Sequence, residues 1–312
     1  MVDKRSPWRR ADVVLALIVT IFSSVACLAL TLSLSGTGLD PLLALVATVC
    51  TRTFSETIAH RADLGRLLVF LPLGVGLALA IFEALRLLHS TWRRMSMLAP
   101  LQRAPSKRLF RLMNKCGLGQ HTVFVQFEPP LIFTHGLFRP KVWLSTGLMR
   151  LLSDDELEAV LRHEDHHLEA FDPLKILVAR CLSRALFFVP VARDLCETYA
   201  IAKEVAADAH ATRAMDDALP LARALHKLIA GQPISALNAA FVGETNVTEA
   251  RLLALLDPAH PLPLLSMKHL GLSLLWLLVF AAVLLAPAAG HMPSFTECAA
   301  PSAFSLLGHW PL

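Results

Sequence analysis

The sequence predicts an α-helical membrane protein carrying one α+β domain, mostly helical with a small sheet. Three observations predict it. The chain is 55% hydrophobic and only 17% charged over 312 residues, whereas a soluble domain averages roughly 45–50% and about 25%. Three apolar runs, Val13–Leu34, Leu67–Leu88 and 270–289, have the length of membrane spans. Between the second and third runs the chain is polar and shows both helical and strand periodicity.

The first run has no charge. At about 1.5 Å per residue it reaches ~33 Å, enough to cross the hydrocarbon core. A signal peptide would have a shorter apolar core, about 7–15 residues, ending in small residues, so the run reads as an uncleaved span. The second carries Glu83 and Arg86 near its end, where both can snorkel to the interface. Basic residues set the orientation. Lys4, Arg5, Arg9 and Arg10 precede the first span, and Arg93, Arg94, Arg103, Lys107, Arg108, Arg111 and Lys115 follow the second. The expected organisation is a membrane region over 1–90, a cytoplasmic domain over 91–265, and a last span with a short external tail over 266–312. That places a multi-pass protein in the inner (plasma) membrane. The basic run abuts a span, which suits anionic lipid and argues against direct nucleic-acid binding. No two of the six cysteines form a C-x-x-C pair; Cys50 and Cys298 are the two that could meet outside the cell.

Within the domain, Thr122–Phe127 alternates and reads as a strand, and Leu131–Thr134 and Lys141–Ser145 flank a turn. Ser153 and Glu156 form a capping box, opening a helix over 154–171 that stops before Asp172-Pro173. Residues 173–192 are apolar enough to be mistaken for a span, but Lys175, Arg180 and Arg184 interrupt them. A crossing there would also separate His163 from everything after residue 193, so the segment must pack on the domain or dip into the interface. Arg193–Asp217 and Arg251–Leu256 read as further helices.

The predicted helix carries His163-Glu164-Asp165-His166-His167, a match to H-E-x-x-H. Histidines at i and i+4 share a helix face and can converge on one metal ion, with the glutamate beside them. A catalytic zinc takes about three protein ligands and keeps one open position. His163 and His167 supply two. Glu204 is the expected third, with Glu197 as its rival. Asp208, four residues after Glu204, shares its face and can bond the free nitrogen of a ligand histidine. His166 lies about 100° off the ligand face and is expected to be exposed or to stand behind the ligands. Asp172, His210 and Glu169 read as solvated or structural residues. His135 could line the cleft.

These residues, with Phe187-Phe188-Val189-Pro190, Glu204-Val205-Ala206-Ala207-Asp208 and Gly136-Leu137-Phe138-Arg139-Pro140, resemble membrane metallopeptidases of the BlaR/MecR type. The resemblance covers about residues 105–256 and the flanking spans. It implies an α+β zincin-like metallopeptidase domain of the gluzincin kind. It implies Zn2+ on His163, His167 and Glu204, Glu164 as catalytic base, and Asp208 as the acid behind the ligands. HtpX-type peptidases share the motif, but there two membrane segments separate the helix from the third ligand. Here one apolar stretch lies between His167 and Glu204. Two departures stand out. Asp165 and His166 replace more usual apolar residues, and the tail after residue 289 has no Ser-x-x-Lys motif, so a β-lactam sensor is not implied. The expected activity is a membrane-bound zinc endopeptidase acting on protein or peptide substrates at the cytoplasmic face. Its alternatives are an antirepressor peptidase that cleaves a transcriptional repressor with a partner sensor, an HtpX-like quality-control protease, and a degenerate scaffold. The implied partners are the lipid bilayer and the substrate.

Overall fold

A computed structural model describes residues 7–34, 61–230, 245–257 and 265–285. Cys50, Cys298 and the external tail lie outside them. The chain opens with helix α1 (Pro7–Leu34) and the long helix α2 (Arg61–Leu98), which ends in a 3-10 turn. The domain follows as β1 (Gln102–Arg103), α3 (Lys107–Lys115), β2 (Thr122–Val125), β3 (Ile132–His135) and β4 (Lys141–Ser145). Then come α4 (Thr146–Leu151), α5 (Asp154–Glu169), α6 (Asp172–Ala185), α7 (Pro190–Met215), α8 (Leu219–Ala230) and α9 (Thr245–Leu256). Helix α10 (Met267–Leu285) closes the described chain.

The described residues are therefore mostly helical around one small sheet. Among them, one helix, Leu71–Leu101, is long and apolar enough to cross a membrane; the apolar stretches Ala11–Val25 and Met267–Phe280 are shorter. α2 is longer at both ends than the run 67–88 from which it was read.

The sheet is mixed, in the order β1-β2-β4-β3. β2 and β4 run parallel, while β1 and β3 are antiparallel to their neighbours. Strand alternation sorts its side chains. On one face Val142 and Leu144, with Ile132, join the main core of Leu109, Leu148, Leu157 and Leu161. On the other face Trp143, Val125 and Phe133 pack with Leu98 at the foot of α2, and Phe133 stacks on Trp143 at 6.5 Å. The β3–β4 turn needs a glycine at 136. Its φ is +116°, and a Cβ there would lie 2.6 Å from the Arg139 carbonyl oxygen.

Helix α5 starts where the sequence places it. Ser153 accepts from the Glu156 amide and Glu156 returns a bond to the Ser153 amide, completing the capping box. Its apolar stripe enters the main core, while its buried Glu156 and Glu158 pair with Lys227 and Lys115, each at 2.6 Å. α6 and α7 form an antiparallel hairpin. α1 lies along it, with Ile18 packed against Ala179, Leu195 and Tyr199. α2 packs on α6 so closely at Gly76 that a Cβ would collide with the Ala185 carbonyl. The apolar segment 173–192 thus spans α6 and the turn into α7.

Candidate metal centre

His163 and His167 project from the same face of α5, and Glu204 reaches them from α7, which crosses behind. Donor atoms of all three lie within 4.8 Å of one another. The two Nε2 atoms are 3.1 Å apart. Glu204 Oε2 is 3.5 Å from Nε2 of His163, and Oε1 is 3.7 Å from Nε2 of His167. Ligands about 2.0–2.1 Å from a tetrahedral ion are separated by roughly 3.3–3.4 Å. The triangle of donors therefore already has the edge length such an ion needs, and its chemistry, two imidazoles and one carboxylate, suits zinc.

Each histidine is held from behind. Nδ1 of His167 shares a 2.6 Å hydrogen bond with Asp172. Asp208 Oδ1 lies 2.8 Å from Nδ1 of His163, although the pair is not aligned as a hydrogen bond. A carboxylate at Nδ1 keeps that nitrogen protonated and leaves Nε2 free as a donor to metal.

The structure differs from the sequence reading at Asp172. It is 5% exposed and touches a motif histidine. The reason is the preceding residue: Phe171 has a left-handed backbone, φ 53° and ψ 38°, which ends α5 and swings Asp172 back under His167. A left-handed conformation costs a non-glycine residue about 1–2 kcal/mol. Asp172→Asn is expected to weaken metal binding about 10–100-fold with little change in folding; a competition titration against a chromophoric chelator measures it.

Three further residues complete the site and were not read from the sequence. Lys203 Nζ lies 2.6 Å from Glu204 Oε1. Arg251, on α9, donates two 2.8 Å bonds to Asp208 and lies 3.4 Å from Glu204 Oε2. Burial alone would raise the Glu204 carboxyl, but Lys203, His167 and Arg251 overcome it and hold the group well below the usual range. Burial likewise opposes ionisation of Asp208, and Arg251 and His163 reverse the effect. Glu204 is therefore a carboxylate at neutral pH. Thr134, on β3, donates a 2.7 Å hydrogen bond to Oε2 of Glu164, tying that carboxylate to the edge strand.

Other candidates fall outside the cluster. Glu197 is half exposed and pairs with Arg193 at 3.0 Å. His166 is partly buried and lies beside His210, ring centroids 5.5 Å apart and tilted by 39°. His135 ends β3 and pairs in register with Lys141. Glu169 and His210 line a cavity of about 360 Å³ between α1, α5, α6 and α7, which Asp172 and Lys203 also line.

The profile of the family described as BlaR1 peptidase M56 matches residues 60–255, a span that contains every group of this site. The chain belongs to the BlaR1 peptidase M56 family. No curated protein matches it. Membership makes the chain a member of a family of membrane-associated metallopeptidases, and a metal is what that family implies for the buried His/Glu group. Within this M56 peptidase, α5 and α7 carry the motif residues, and α6 and α9 supply the carboxylate and guanidinium that hold them.

Proposed function

We propose that the protein is a zinc-dependent endopeptidase, anchored by several membrane spans, that cleaves protein chains at the cytoplasmic face. The observation that carries this reading is the donor triangle of His163, His167 and Glu204 with Glu164 beside it. In this reading those three residues hold zinc. A bound zinc ion would polarise a peptide carbonyl and acidify a water toward neutral pH.

The chain supplies the rest. Glu164 accepts the proton of the attacking water and delivers it to the departing amide nitrogen. Thr134 keeps the receiving oxygen of Glu164 in place. Asp172 holds the tautomer of His167 through its hydrogen bond, and Asp208 sets a negative charge against Nδ1 of His163. Lys203 and Arg251 keep Glu204 ionised. β3 is the outer strand of the sheet and runs beside Glu164, so an extended substrate can pair along it through main-chain hydrogen bonds. Such pairing grips backbone rather than side chains, which suits a protein substrate of broad sequence.

The test is hydrolysis of an unstructured protein by the purified full chain in detergent or nanodiscs. The expected outcome is cleavage that stops when a chelator strips the metal and returns with one equivalent of zinc. Cleavage that persists in fully stripped protein would sink the reading.

A further inference from the structure

The tip of the α6–α7 hairpin has a composition unlike the rest of the domain. From Ala185 to Ala192 it reads Ala-Leu-Phe-Phe-Val-Pro-Val-Ala, with no polar side chain, and an arginine stands at each end, Arg184 and Arg193. Leu186, Phe188, Val189, Val191 and Ala192 are buried, yet they do not join the domain core. They cluster with Val25 of α1, Leu73 of α2, and Leu270 and Leu277 of α10. Phe188 stacks on Phe280 at 5.9 Å with the rings within 11° of parallel.

The level of these contacts gives the depth of the tip. Ser273 lies six residues into α10 from Met267, and Phe280 thirteen. At about 1.5 Å per residue these are ~9 and ~20 Å along the helix, well inside a hydrocarbon core about 30 Å thick. The apolar helices around the tip present bare hydrocarbon outward: Phe82, Leu85 and Leu278 are each more than 60% exposed. Phe187, at the tip itself, is 47% exposed.

The polar groups follow the same boundary. A backbone N–H in hydrocarbon must find a partner within the protein. The Val191 amide donates 3.0 Å to the hydroxyl of Ser273, a residue only 2% exposed in the apolar part of α10 that follows His269. Charge resumes at the tip's flanks. Asp194 accepts from the Ser266 amide at 3.2 Å and meets His269 at 2.8 Å, both at the start of α10. Arg184 lies 3.9 Å from Glu83 and Arg193 3.0 Å from Glu197, each long enough to reach the headgroups.

We infer that the α6–α7 tip, residues 185–192, is a re-entrant wedge that enters the bilayer between α1, α2 and α10 and meets lipid acyl chains through Phe187. The occupant is lipid because the tip, with Phe187 exposed, packs through Ala185 on Gly76 and through its buried cluster on Leu73 of α2, the helix long enough to cross. The wedge suspends the metal site from the membrane. Glu204 lies fourteen residues along α7 from Pro190, and Asp172 thirteen along α6 from Ala185, so two struts about 20 Å long hold the donor triangle near the membrane surface. The inference rests on the membrane-anchored reading above, and it does not depend on hydrolysis.

The test uses the full chain in lipid nanodiscs with the native cysteines replaced and the inactivating change Glu164→Gln in place. Phe187→Cys is labelled with a nitrobenzoxadiazole fluorophore. Phe82→Cys on α2 and Phe138→Cys on the domain surface serve as references. At Phe187 the expected result is loss of iodide quenching relative to Phe138, and quenching by acyl-chain spin labels like that at Phe82. Iodide quenching equal to that at Phe138 would overturn the wedge, as would protection from both quenchers, which would mean that protein covers the tip. If Phe82 is also open to iodide, the membrane-anchored reading itself fails, a separate outcome from failure at Phe187 alone.

Discussion

Replacing Glu164 with Gln is expected to leave the metal in place and to slow peptide hydrolysis about 10²–10⁴-fold, the usual contribution of a positioned general base. The side chain is 7% exposed and its Oε2 receives the Thr134 hydroxyl. Gln has the same shape, and its carbonyl oxygen can accept the same bond, so the fold and the donor triangle should survive. What disappears is the capacity to take a proton. The loss should fall on kcat with KM nearly unchanged, because substrate grips β3 rather than Glu164. Turnover measured beside zinc content separates the two effects. A variant that keeps both zinc and full activity would remove Glu164 from the chemistry.

The second large effect is expected at Glu204. Glu204→Ala should abolish metal binding, and it should also destabilise the metal-free protein by about 3 kcal/mol. The destabilisation arises because Lys203 loses its 2.6 Å partner and Arg251 its 3.4 Å one. Breaking a buried pair by removing one member costs about 3–5 kcal/mol, the uncompensated charge being the cause; the low end applies because both side chains retain slight exposure, 17% and 18%. The double variant Lys203→Met with Glu204→Ala separates the two roles. It should recover most of the lost stability in chemical denaturation with chelator present, and it should still bind no metal. Recovery of metal binding in the double variant would mean that Glu204 is not a ligand.

Some of this site was legible because its signals are local. The i,i+4 spacing of His163 and His167 puts both on one face of any helix, and the Ser153–Glu156 box says where that helix begins. The Glu204/Asp208 pair repeats the spacing on a second helix. The other groups depend on tertiary geometry. Asp172 becomes a neighbour of His167 only because Phe171 adopts a left-handed backbone, which an aromatic residue rarely does. Arg251 lies 43 residues beyond Asp208 in sequence, on a helix whose docking no local pattern announces. Thr134 looked like an ordinary strand residue, although alternation with Ile132 already placed it on the inner face. Lys203, next to Glu204 in sequence, carries no motif signal of its own.

The fold divides in the same way. The three short strands and the capped helix follow from alternation and capping. β1 does not, since Gln102 and Arg103 are exposed and show no apolar alternation. The apolar segment after Pro173 was the hardest to place. Its hydropathy suggests a crossing, and only the need to bring His163 and Glu204 to one side argued otherwise. The hairpin resolves that conflict by turning back at the uncharged stretch between Arg184 and Arg193.

The central claim is that His163, His167 and Glu204 hold a zinc ion that works with Glu164. X-ray absorption at the zinc edge on the purified full chain tests it most directly. The expected result is one zinc per chain with nitrogen and oxygen neighbours alone at about 2.0–2.2 Å, two of them showing the outer-shell scattering of imidazole, and the loss of that signal in Glu204→Ala. Zinc with a sulfur neighbour near 2.3 Å, or the same spectrum in Glu204→Ala, would contradict it.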